Sequence, residues 1–109
     1  MRLGLASLVL SLAALAGCRG DPVKCDQGCR NYFTLHFWAE ADKDIARAPA
    51  DQRDALRKQK LGELDQRMAN GVDMCVSQCQ AANDKDGTEC MLTAKTVEQV
   101  RTCANTWSD

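Results

Sequence analysis

Two CxxxC motifs, Cys25–Cys29 and Cys75–Cys79, do most to restrict what this chain can become. Residues four apart lie on one face of an α-helix, one turn from each other. If both motifs are helical, each presents two sulfurs on a single face, and two such helices lying antiparallel are clamped by Cys25 to Cys79 and Cys29 to Cys75. The last two cysteines, Cys90 and Cys103, are close enough in the chain to close a local loop. Six cysteines can pair in fifteen ways, and helical spacing removes most of them. In both clamps the residue numbers add to 104. The same register puts Phe33 opposite Gly71, His36 opposite Met68, and Lys43 level with Leu61. At Gly71 the missing side chain leaves room for the Phe33 ring between helices held close by disulfides.

Such staples are needed because the chain is poor in large apolar residues. It has 109 residues, 45% of them hydrophobic. Much of that share lies in the first 17 positions. The 92 residues after them carry only 19 apolar side chains other than Ala and Cys. A single small domain with so few relies on covalent or metal cross-links. The net charge is −1, without a basic cluster, so no electrostatic case exists for a nucleic-acid partner.

Apolar residues at helical spacing from Lys24 to Arg47 predict one amphipathic helix. Either a loose loop from about Ala46 to Asp54 or an overhanging start to the second helix follows, around Ala48-Pro49-Ala50, with Asp51 as a candidate N-cap. A second helix runs from about Gln52 to Ala82, with Leu61, Leu64, Met68, Val72, Cys75 and Cys79 along one stripe. Its charges suggest Asp54–Lys58 and Glu63–Arg67 pairs. The Asn70-Gly71 dipeptide is a stop signal, but the stripe keeps its phase across it, so the helix is expected to continue. Asn83 to Gly87 reverses the chain. Thr88 then caps a short turn through Cys90 to Ala94, and Thr96 with Gln99 reads as a capping box for a last helix ending near Trp107. The expected fold is all-α: a disulfide-stapled antiparallel helical hairpin followed by a short C-terminal helical segment.

Ahead of this lies Arg2 and an uncharged run from Leu3 to Gly17. Its 15 residues are fewer than the ~20 that span a bilayer as a helix, so it reads as a secretion signal. The run closes with Leu15-Ala16-Gly17-Cys18, which resembles the lipobox of bacterial lipoproteins. That resemblance implies cleavage before Cys18 and acylation of Cys18, leaving an even six cysteines to pair. Ala14-Leu15-Ala16 also satisfies an ordinary cleavage pattern, which would leave Cys18 as an odd thiol. The resemblance further implies a cell-envelope protein anchored on the periplasmic side. Arg19, in place of the Asp that retains enteric lipoproteins at the inner membrane, favours the outer membrane. The implied division is a signal peptide over 1–17, a lipidated N-terminus and short linker over 18–24, and a Cys-rich domain over 25–109. Arg19 to Lys24 reaches at most about 20 Å, which keeps the domain close to the membrane.

The doubled CxxxC also resembles the twin-CxxxC helical hairpins, such as the small Tim chaperones of the mitochondrial intermembrane space. The 45 residues between Cys29 and Cys75 exceed that family's spacing, so only the hairpin carries over.

Chemistry-bearing motifs are few. Four thiolates from two CxxxC motifs could form a tetrahedral zinc site, although an oxidising envelope favours disulfides. His36 and Glu40 could chelate a metal from one helix face, but His36 stands among Tyr32, Phe33, Phe37 and Trp38, where packing is the simpler role. No GxGxxG, P-loop, HExxH or CxxC occurs. The aromatics spread round the helix, so half should pack on the second helix while the rest meet the C-terminal segment or stay exposed. Tyr32, Phe37 and Trp38 are the candidate contacts for a protein or peptide partner. The sequence thus suggests a lipid-anchored, non-catalytic binding or structural module without a cofactor. Its rivals are a holdase-like chaperone using exposed aromatics and a metal or redox protein using the CxxxC pairs.

Overall fold

A computed structural model describes residues 19–105. The expected signal segment, Cys18 and Trp107 lie outside them. Helix α1 spans Pro22–Arg47, a single 3-10 turn covers Ala50–Gln52, and α2 spans Arg53–Ala82. Two short helices follow, α3 over Lys85–Thr93 and α4 over Val97–Asn105. No strand occurs among the described residues. The architecture is the expected stapled hairpin, with the C-terminal segment resolved into two helices.

Helix α1 starts earlier than its apolar pattern suggests. Asp21 is the N-cap, its carboxylate accepting from the amides of Val23 and Lys24, and Pro22 occupies the first turn. Proline suits that position because its missing N–H would be unpaired there anyway. The expected linker over 18–24 therefore loses its last three residues to the helix.

The hairpin register holds along its length. Cys25–Cys79 and Cys29–Cys75 are bonded, with Cα atoms 5.7 and 6.0 Å apart. A Cβ built on Gly71 would lie 2.8 Å from Cζ of Phe33, so only glycine leaves space for that ring as it sits. Farther up, the Arg67 guanidinium lies 5.2 Å from the Phe37 ring centroid, and Lys60 Nζ is 3.3 Å from Asp44 Oδ2. Helix α2 runs unbroken through Asn70-Gly71, because stopping there would give up the burial of Val72 and Cys79.

Several local expectations are corrected. Of the two expected connections the overhanging start is the one found, since α2 begins at Arg53 while the end of α1 is level with residue 57, and the loop is not loose: Arg53 donates to the carbonyls of Ala48 (3.0 Å) and Ala46 (3.2 Å), satisfying groups left over at the end of α1. Gln52, not Asp51, stands at the N-cap of α2, and without a side-chain hydrogen bond. Leu61 is 49% exposed, at the margin of the stripe. Glu63 turns to Lys60 while Arg67 lies over Phe37, so the Glu63–Arg67 pair gives way to interhelical packing. The reversal is tighter than expected. Asn83 takes the left-handed conformation at φ 48°, and Asp84 caps α3 at once by accepting from the Gly87 amide. Thr88 is buried inside α3, its hydroxyl 3.4 Å from Cys79 Sγ. At α4 the capping box forms by halves. Thr96 accepts from the Gln99 amide, but Gln99 reaches back to the amide of Lys95.

Candidate functional site

Helix α1 is the spine against which everything else packs. Its Cys25, Cys29, Phe33 and Phe37 side meets α2, while a second side meets α3 and α4. On that second side Gly28 allows close approach, since a Cβ there would lie 3.3 Å from Cβ of Met91. Asn31 then donates from Nδ2 to the carbonyls of Met91 (2.7 Å) and Ala94 (3.0 Å), closing the exposed end of α3. Tyr32 and Leu35 pack on a small core of Met91, Ala94, Val100 and Cys103. The Cys90–Cys103 disulfide ties α3 to α4 within it.

Because α2 and the α3–α4 pair both bind α1 and hardly touch each other, a trough is left between them. It has a volume of about 860 Å³. Tyr32 and Phe33 form its floor, Gly71, Met74 and Ala81 one wall, and Met91 part of the other. Met74 on the rim is 70% exposed. The lining is mostly apolar, with the amides of Asn70, Gln78 and Asn105 among it, and it sits on cross-linked helices, so the trough offers a preformed surface to a short segment with an apolar side chain and a few polar groups.

The candidate contacts are divided by this geometry. Tyr32 lies on the floor of the trough. Phe37 is only 7% exposed and belongs to the core with Ala41 and Leu64, so its ring has no face to offer a partner. Trp38 is half-buried, edge-on to Phe37 at 5.4 Å, on the border of that core. Thus two of the four aromatics, Phe33 and Phe37, pack on α2 and Tyr32 packs on the C-terminal pair. Of the four, Phe37 is buried and Tyr32, Phe33 and Trp38 are half-buried.

His36 does not face Met68. It turns the other way, with its ring 4.2 Å from that of Tyr32 and its Nε2 buried, without a hydrogen-bond partner among the described residues. Burial, and secondarily the Arg101 guanidinium of α4, holds the imidazole below the ordinary histidine pKa. Glu40 pairs with Lys43 instead of joining His36. All six described cysteines are bonded, and the CxxxC sulfurs bond crosswise between helices, so none is a free thiolate for zinc or for thiol exchange. No group of three or more metal-ligating side chains occurs among the described residues.

Sequence reasoning missed Gly20, Gly28, Asn31 and Gln80, which work through contacts far along the chain. Only the Asp21-Pro22 pair carried a legible local signal, that of a capped helix start. Comparison with family models, curated proteins and solved structures finds no match. Among the described residues no helix is long and apolar enough to cross a membrane.

Proposed function

We propose that the chain is a lipid-anchored cell-envelope protein, held on the periplasmic side through Cys18, that binds a protein or peptide partner without catalysis. The observation that carries the binding half is the trough between α2 and the α3–α4 pair. Its floor is aromatic, Met74 and the amides of Asn70, Gln78 and Asn105 also line it, and the helices forming it are cross-linked, so little conformational freedom is lost on binding. The anchoring half rests on the lipobox-like Leu15-Ala16-Gly17-Cys18 after an uncharged run. Acylation contributes about 0.8 kcal/mol per buried CH₂, and an anchor of several chains is effectively permanent.

Each half has its own experiment. Metabolic labelling with a fatty acid should mark the wild type and not Cys18→Ser, whose processed domain should leave the membrane fraction. An unlabelled, full-length mature form would overturn the anchor. For binding, a photo-crosslinking residue at Met74 should give one discrete adduct in intact envelopes, whereas the same residue at exposed Asp65 should give none. Equal, diffuse labelling from both positions would overturn the trough as a binding surface.

A further inference from the structure

We infer that the protein stands on the membrane in a fixed orientation, with its disulfide-bonded end against the lipid headgroups and the hairpin tip pointing away. This rests on the anchoring reading above and adds to it the face that meets the lipid.

The observation lies in the two residues before α1. The Gly20 amide donates to the Gln80 carbonyl at 3.0 Å, and Gln80 Nε2 donates back to the Gly20 carbonyl at 3.3 Å. Gly20 is pressed so closely onto α2 that an added Cβ would lie 3.3 Å from both the Cys79 oxygen and the Gln80 Cα. Asp21 caps α1 immediately afterwards. The Cys25–Cys79 bond, a turn away, locks α1 to α2 at the same level. The segment that would act as a leash if it were free is therefore fastened to the folded body, and Arg19 alone separates it from Cys18.

A tether of one residue allows the body to swing very little. The surface around its exit must then face the bilayer: Pro22, Val23 and Lys24 from α1, Asn83 from the reversal and Lys85 from the start of α3. Val23 is 64% exposed there, an apolar side chain at the edge that meets the lipid. Basic Arg19, Lys24 and Lys85 share this pole with acidic Asp21, Asp84, Asp86 and Glu89, so orientation comes from the tether and not from attraction to anionic lipid. Helix α1, with 26 residues, carries the tip about 39 Å from that pole. The trough then opens sideways, in the half of the molecule nearer the membrane.

The test uses the processed protein beginning at Cys18, isolated from membranes and its mass determined, on phosphatidylethanolamine–phosphatidylglycerol vesicles carrying a headgroup nitroxide. A fluorescent amino acid is incorporated at Val23 or at Asp51, both exposed and at opposite ends. Most of the fluorescence should be lost at position 23 and none at position 51. A long Gly-Ser insertion between Arg19 and Gly20 should abolish the difference. Equal quenching at both positions, or a difference that survives the insertion, overturns the inference while leaving the anchor intact. A chain whose mass shows no acyl group and which stays free of vesicles overturns the anchoring reading, and this inference with it.

Discussion

The two ends of the hairpin are held by different means. At the lower end, α1 and α2 are joined by Cys25–Cys79 and Cys29–Cys75, α3 and α4 by Cys90–Cys103, and the chain entering α1 is bonded to Gln80. At the upper end no covalent bond joins the helices. There Phe37, Ala41, Ile45 and Leu64 are buried, the Lys60–Asp44 pair bridges the helices, and Arg53 fastens the loop. The lower end can afford glycines, polar bridges and an open trough because its helices cannot separate. The upper end must pack, since a partly exposed ion pair contributes little.

The largest expected effect is therefore reduction of the disulfides. Each typically contributes about 2–4 kcal/mol, more for the loops closed over 54 and 46 residues than for the one over 13. Adding reductant should abolish the cooperative thermal transition followed by circular dichroism. A reduced protein that still melts sharply would show the lower end to be held by packing after all. Replacing only Cys90 and Cys103 by Ser should loosen α4 and leave the α1–α2 hairpin protected from hydrogen exchange.

Next comes packing at the upper end. Leu64→Ala should cost about 2–5 kcal/mol in denaturant unfolding, the range for a buried leucine. Val76→Ala beside the disulfides, where the side chain is only partly buried, should cost clearly less. Equal losses would erase the contrast between the ends.

Two glycines of α2 sharpen it further. Gly62 has open space where its Cβ would be, so Gly62→Ala should stabilise the protein by about 0.5–1 kcal/mol through helix propensity. Gly71→Ala brings the same gain but drives a methyl into the Phe33 ring, and overpacking of about 1–3 kcal/mol should make it a net loss. If both substitutions stabilise, Phe33 moves freely into the trough and that floor is not rigid.

The smallest effect is a pH dependence of the contact between α1 and α4. His36 is the chain's only histidine, and its pKa in the fold lies below the ordinary value. The folded state thus favours the neutral ring. Its contribution is complete above the unfolded pKa of about 6.5 and is lost as pH falls through the lower folded value. Stability should decline as pH falls below about 6.5, and His36→Phe should flatten that slope. A slope unchanged in His36→Phe would assign it elsewhere.

Much of this architecture is legible in the sequence. The register followed from four cysteines because two covalent bonds between helices of known pitch leave no freedom to slide, and Phe33 over Gly71 followed from the register. The arc of α2 that turns inward followed from its stripe, apart from Leu61 at the margin. The lipobox-like segment lies outside the described residues and stays a statement about sequence alone.

Helical periodicity tells which residues share a face but not which neighbour fills it. His36 lies at the right level for Met68, yet it belongs to the arc of α1 that α4 occupies, and only long-range packing decides that. The same holds for Gly28 and Asn31, whose partners are 60 or more residues away along the chain. The trough could not be read from any segment because it is the space left where α2 and the α3–α4 pair fail to meet. Gly20 looked like linker because its bonds are made to a helix end that only folding brings beside it. The sequence by itself determined how the hairpin is stapled, since covalent bonds and helix pitch are local properties. The tertiary structure alone decided what the remaining faces of α1 would hold.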